Sequence, residues 1–505
     1  MTNTGEAMAT AGEAVKAWIE DVLKETLSPS LVAKKQREGS HRYYKQISLE
    51  HRGRYPFELL QNAHDACAED GTRCGRAWFA WTDEALLVAD SGRGIDREGV
   101  EALTSWGTTA KERGTTAIGH KGIGFVACYE LTDTPQFFNS HDIHFGFNAI
   151  KADQQGLPPS YLPEFLVLGH AGPDEGICKE LFASGATTIV RLPYKEEQGR
   201  GESRRLFDEL LDVETLLFMP NLGSISLWDG DDRVEWTCKP TRRKPKFAKQ
   251  AIDTCKSVEV LLVSNGTDRQ DWLVAIKSTP AAEDDRKFVG WELAEELVAS
   301  VAIPWHPNEA QPRPGRPRKV CAYYATEDET GCGILFHGDF MTTSTRKGVE
   351  GDASPTNAVE LMLVEIAGAL AADIATLGHK QVASLLVLLG VGPASVGYGK
   401  KLRGSVLNRI GTIPLLKMHG TRNLSTPSEA RGVLGCDRGP TLHKLMDLLE
   451  DPTRYLDPSA LPDVPDSILT ELGTNFDNPS DLVSQVEPSG SNFDSVLNVL
   501  KEFVE

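Results

Sequence analysis

The sequence predicts an α+β protein in three parts: an α/β sandwich over residues 1–200, a second α/β region over 201–350, and a mostly helical, acidic region over 351–505. Three observations carry this expectation. Helix-like and strand-like segments alternate before residue 200. A second series of strand-like runs follows the charged, glycine-containing stretch "KEEQGRGES" at 195–203. Beyond Gly351 the pattern turns helical.

The elements follow in order. "AVKAWIEDVLKETL", starting at Ala14, places an apolar stripe on an otherwise polar helix. "ELLQNAHDA", residues 58–66, continues as helix, with Leu59, Ala63 and Ala66 on one side and Glu58, Asn62 and Asp65 on another. Taken alone, that polar stripe is either a solvated helix face or one wall of a site. "ALLVAD", residues 85–90, is a short apolar run that ends on a carboxylate and meets the turn "SGRG", the pattern of a buried strand. Residues 96–118 are polar and rich in Thr and Gly, as in a mobile flap or a long surface loop. "GHKGIGFVACYEL" is a glycine turn opening into a helix, and "IHFGFNAI", "FLVLGH" and "TTIVRLPY" read as strands. In the second region the strand-like runs are "ETLLFMPNLGSISLWDG", "ELVASVAIPW", "KVCAYYAT" and "GILFHGDF". From residue 447 acids outnumber bases, yet helix-like pieces persist, so the end reads as folded or partner-bound.

Composition narrows the function classes. A chain of 505 residues has room for about three domains of ordinary size. A net charge of -19 argues against coating DNA or an anionic membrane through the overall field. Nine scattered cysteines without a C-x-x-C pair indicate neither a disulfide framework nor a zinc site, and fit a reducing cytoplasm. The N-terminus lacks the basic start and apolar stretch of a signal peptide. "VASLLVLLGVG", starting at Val382, is about half the length needed to cross a bilayer, so it reads as core and no membrane partner is expected.

Three segments carry chemistry. A glycine-rich turn ahead of a helix, with Gly119, Gly122 and Gly124, lets backbone N–H groups approach phosphate. Asp90, at a strand end before a glycine turn, can accept a hydrogen bond from an exocyclic amine, which adenine offers and guanine does not. Asn62 is a neutral oxygen ligand suited to Mg2+, and Glu58, one turn earlier, is placed to orient or deprotonate a water.

The order and spacing of "ELLQNAHDA", "DSGRG" (90–94) and "IGHKGIGF" (118–125) resemble the GHKL ATPases, the Bergerat-fold family of gyrase, MutL, histidine kinases and the ninety-kilodalton heat-shock chaperones. The resemblance implies an ATP- and Mg2+-binding domain with Glu58 as base, Asn62 as metal ligand and Asp65 supporting the pocket floor. It implies Asp90, Gly92 and Gly94 at adenine, and a phosphate cradle of Gly119, His120, Lys121, Gly122, Ile123, Gly124 and Phe125. Residues 96–118 become a lid bearing Lys111, and Thr188 in "GATTIVRLPY" falls near the base. Together with "YKQISLEHRGRYPF" and "LFHGDFMTTSTRKG", these segments are most similar to the sacsin-type branch, cousin to the heat-shock chaperones, in which Arg346 would sense the γ-phosphate. That branch implies slow ATP hydrolysis coupled to lid closure, an unidentified protein client and an ATP-dependent homodimer. The alternative is a nucleic-acid-acting clamp like MutL or MORC proteins, touching phosphate through the basic loops at 239–249 and 313–319.

Overall fold

The computed structural model describes residues 15–21, 23–24, 41, 44, 52–67, 73–96, 99–100, 103, 124–241, 245–288, 291, 294–343, 347–393, 397–434, 438–486, 497–499 and 501. They divide into two compact units. The first comprises Met1–Lys239, Val263–Arg269 and Ala281–Glu295; the second comprises Pro240–Leu262, Gln270–Pro280 and Glu296–Glu505.

The strands of the first unit are β1 (Gly75–Trp81), β2 (Ala85–Asp90), β3 (Gln136–Asn139), β4 (Phe145–Phe147), β5 (Pro163–Phe165), β6 (Thr188–Pro193), β7 (Leu222–Asp229) and β8 (Asp232–Pro240). They lie in the order β8-β7-β1-β2-β6-β3-β4-β5, antiparallel throughout except for the parallel pair β1 and β7. Every residue of "ALLVAD" is buried, because β2 lies inside the sheet and both of its faces are covered. On one face Trp78, Leu87, Ala89, Phe138 and Ile189 pack against Cys178 and Leu181 of helix α2 (Glu175–Ala183). Helix α1 (Tyr55–Ala66) packs on β1 and β2 and against the 3-10 helix Gly124–Glu130. Helix α3 (Gly199–Leu210) anchors through Phe207, whose ring lies 4.9 Å from Phe79 and 5.1 Å from Trp81. Truncating such a ring in a core costs about 3–5 kcal/mol.

Two expectations shift. The boundary expected at 195–203 lies inside the first unit, because β7 returns to pair with β1 over its full length. Of "FLVLGH", only Phe165 is in a strand, and 168–174 form a 3-10 turn around Gly172 and Pro173.

In the second unit the strands β9 (Ser257–Ser264), β10 (Arg269–Pro280), β11 (Glu296–His306), β12 (Gln311–Pro312), β13 (Lys319–Ala322), β14 (Tyr324–Glu329) and β15 (Leu335–Gly338) run in the order β14-β13-β15-β11-β10-β9, with β12 beside β11. The helices α4 (Lys249–Thr254), α5 (Ser354–Ala375), α6 (His379–Leu389) and α7 (Tyr398–Gly411) complete this layer, and α5 packs against β11 and the other three. The region after 351 is helical as expected, but past Gly411 it mixes short helices with two-stranded pairs. There Val433, Leu442, Leu445, Met446, Leu449, Tyr455 and Leu482 form a small core. The apolar run at 382 is α6, with Val382, Leu385, Leu386, Leu388 and Leu389 buried. Among the described residues no helix is long and apolar enough to cross a membrane. Eight cysteines fall in the described set, all with free thiols.

Candidate functional site

Helix α1 starts on Arg54, whose carbonyl accepts from the N–H of Phe57 at 3.0 Å and of Glu58 at 3.2 Å, with Pro56 fixing the first turn. The helix is buried on nearly all sides. Leu59, Leu60 and Ala63 face core, but Glu58 (4 % exposed) and Asp65 (8 %) are buried as well, and only Asn62 is exposed. A solvated face therefore describes Asn62 and not its two acidic neighbours. Charged side chains this deep are uncommon without a specific reason. Asp65 Oδ1 lies 3.1 Å from Nδ1 of the fully buried His64. Glu58 stands by the 3-10 helix Gly124–Glu130: burial first, then the Glu58 charge, pushes the Cys128 thiol well above its usual range.

Asp90 ends β2 and accepts from the Gly92 N–H at 2.8 Å, closing the turn the sequence suggested. Gly92 touches the end of α1. A Cβ on it would sit 2.4 Å from the carbonyl carbon and oxygen of Ala66, so the turn approaches the helix as only glycine allows. Arg93 N–H donates to that same Ala66 carbonyl at 3.1 Å. Gly94 has φ +83°, a left-handed conformation that favours glycine, and its missing Cβ faces Asn139 Nδ2. The turn and the helix are thus locked together. Asp90 also influences Cys67, just past the helix: burial, and then the Asp90 charge, pushes that thiol up to about 11.

The sheet register adds the neighbours of Asp90. It pairs with Thr188 on β6, and Thr188 pairs with Asn139 on β3, so three polar residues form one row at the end of the sheet on one face. Asn139 donates to the Ile95 carbonyl at 3.0 Å, and the Thr187 hydroxyl donates to the Gly92 carbonyl at 2.6 Å. Asn139 and Thr187 were not anticipated. "FFNS" and the doubled threonine of "GATTIV" carry the only trace of them, and assigning them needs the strand pairing.

The structure therefore gathers Glu58, Asn62 and Asp65 on α1 with Asp90, Gly92 and Gly94 in the turn, and sets Thr188 beside Asp90. Lys111, Gly119, His120, Lys121, Gly122, Ile123 and Arg346 lie outside the described residues. Gly124 opens the 3-10 helix next to α1. The Phe125 ring packs 5.1 Å from Phe137 and 5.9 Å from Tyr129, so its side chain contributes to the core. In the basic loop at 313–319, Arg313 donates to Gln270 at 2.8 Å and Arg318 lies over the Trp272 ring at 5.5 Å. Those two cations are already engaged within the fold.

The class defined by these elements is a mixed α/β protein with a helical C-terminal region. No model of a known protein family matches the chain. Among proteins of known name, it is similar to Protein NO VEIN of Arabidopsis thaliana, 24% identical over 387 residues. The match covers 72% of this chain and spans only 13% of that relative.

Proposed function

We propose that the first unit binds Mg-ATP and hydrolyses it in the manner of a GHKL ATPase. The observation that carries this reading is the contact of Gly92 with Ala66, which fixes the Asp90 turn against the helix bearing Asn62 and Glu58. From Ala66 back to Asn62 the helix rises about 6 Å, and to Glu58 about 12 Å. Starting from the base end, an adenine reader, a metal ligand and a carboxylate then follow at intervals comparable to the base, the phosphate chain and the reacting end of ATP.

Each residue has a chemical task in this scheme. Asp90, buried and pinned by the Gly92 amide, accepts from the adenine amine, with Thr188 and Asn139 supplying further polar groups in the same row. The Asn62 amide oxygen is hard, neutral and exposed, which fits an ion that keeps several of its waters. Mg2+ held there would neutralise phosphate charge. Glu58, buried one turn away, orients the attacking water and takes up its proton. Turnover would drive a conformational cycle acting on a protein partner.

The test is a phosphate-release assay on the full chain with Mg-ATP, with excess chelator, and with Glu58→Ala. Hydrolysis that stops on chelation and is lost in Glu58→Ala, while ATP still binds, supports the reading. Turnover unchanged in Glu58→Ala removes Glu58 as the base. Absence of ATP binding by the parent removes the whole proposal.

A further inference from the structure

We propose that His419, His443 and Asp457 form a second, separate metal site, one that takes a divalent first-row transition ion of the zinc class. Each offers a ligand atom, and the three atoms lie within 4.8 Å of one another. The backbone explains the grouping. Residues 417–419 and 455–457 run antiparallel, with His419 N–H donating to the Tyr455 carbonyl at 2.9 Å and Asp457 N–H to the Lys417 carbonyl at 3.0 Å. This pairing sets His419 opposite Tyr455 and Asp457 opposite Lys417, so His419 and Asp457 stand diagonally on one face. The helix Pro440–Met446 brings His443 over them, its ring 4.4 Å from that of His419.

The state of His419 points to a ligand. It is 2 % exposed, its Nε2 lies 2.7 Å from Asp447 Oδ1, and its Nδ1 is buried with no hydrogen-bond partner. A carboxylate on one ring nitrogen fixes the tautomer that leaves the other free to coordinate, which is how histidine ligands of metals are commonly held. Asp447 thus serves as a positioning residue. Its Oδ2 also lies 3.6 Å from Nδ1 of His443. Asp457 is held in place by the Ser459 N–H at 3.0 Å and the Ser459 hydroxyl at 2.6 Å, both on Oδ1.

Two imidazoles and one carboxylate select a borderline transition ion over Mg2+ or Ca2+, which prefer all-oxygen shells. An ion bound there would hold its ligand atoms at about 2.0–2.2 Å, and the half-exposed His443 ring has room to adjust to it. The competing positive charge is Lys417, whose Nζ lies 2.6 Å from Asp457 Oδ2 and is one-third exposed. The ion and the Lys417 ammonium therefore compete for one carboxylate oxygen, and the site is an exchangeable one.

The experiment titrates the full chain, stripped with chelator, with ZnCl2 and separately with CoCl2, reading bound metal and the Co2+ visible spectrum. The expected result is one equivalent bound, with the intense bands of a distorted tetrahedral cobalt site. Asp447→Asn should weaken binding about 10–100-fold. His443→Ala, at a half-exposed position, should abolish the cobalt bands while leaving circular dichroism unchanged, and Lys417→Met should tighten binding. Absence of stoichiometric binding, or zinc affinity that is equal in the parent, His443→Ala and Lys417→Met, overturns the proposal. Loss of the Glu58-dependent ATP turnover leaves these outcomes unaffected, since the two sites share no residue.

Discussion

In the second unit buried charged groups tie backbone segments together; in the first some do the same, while others gather at the ends of strands beside α1. Asp373, 1 % exposed on α5, accepts from the N–H of Gln250 at 2.9 Å and of Ala251 at 2.8 Å, so it caps α4 from another helix. Arg403 on α7 grips both oxygens of Glu471 and donates to the carbonyls of Thr330 and Gly392. Among the described residues of the first unit, Arg191 makes such a tie with Asp174 on the α2 side of the sheet, and the half-buried Arg73 makes another by donating to the carbonyls of Leu216 at 2.7 Å and Leu217 at 2.9 Å. Asp65, Asp90, Asn139 and Thr188 instead lie at or near the C-terminal end of α1, with Glu58 about two turns back on the same helix and the exposed Asn62 between. The difference teaches what burial of a charge is for. A tie is explained by the segments it joins, whereas the row that ends in Asp90 is what the proposed nucleotide site would account for.

Four substitutions or conditions break or sharpen that contrast, in order of expected size. Glu58→Ala should lower ATP turnover by about 10²–10⁴-fold. Circular dichroism at the assay temperature should match the parent, so that the loss reports on chemistry and not on unfolding. A clear fall in melting temperature would class Glu58 with the ties. Arg403→Ala should do the reverse, destabilising the chain by about 2–4 kcal/mol in denaturant titration while ATP affinity measured below the transition stays at the parent value. Asp90→Asn should loosen ATP about 10–100-fold, the worth of one hydrogen bond to a charged acceptor.

The smallest effect concerns pH. His337 is fully buried, and burial alone holds its imidazole at about 3. In the unfolded chain the same group titrates near about 6.5. As pH falls below that value the unfolded chain gains a proton that the native chain refuses, so stability declines from about pH 6.5 toward about pH 3. The slope is about 1 kcal/mol per pH unit. Urea midpoints at pH 7 and pH 5 check it, and His337→Asn should flatten the difference.

The sequence made some of this legible for physical reasons. "ALLVAD" carried the pattern of a buried strand ending in a turn, which the structure shows, but the contact of that turn with Ala66 was not legible. The helix of Glu58 was plain from its spacing, but its burial was not. A polar stripe has the same pattern whether it meets solvent or a neighbouring 3-10 helix. Thr187 and Asn139 were hidden because strand register joins residues far apart in the chain, and the return of β7 to β1 moved the domain boundary for the same reason. Phe125 shows how a motif position can also serve packing. A motif position was assigned to a ligand, while its aromatic ring was drawn to the nearest apolar cluster. His419 and His443 gave no sign at all, since their 24-residue separation matches no metal-binding pattern and only the pairing of 417–419 with 455–457 unites them with Asp457.

The central claim is that the row ending in Asp90 reads adenine. Calorimetric titration of the full chain with Mg-ATP and with Mg-GTP tests it most directly. The account predicts one site per chain that prefers ATP by about tenfold or more, because the guanine carbonyl would face the Asp90 carboxylate as acceptor against acceptor. Equal affinity for the two nucleotides, or heat from neither, would contradict it.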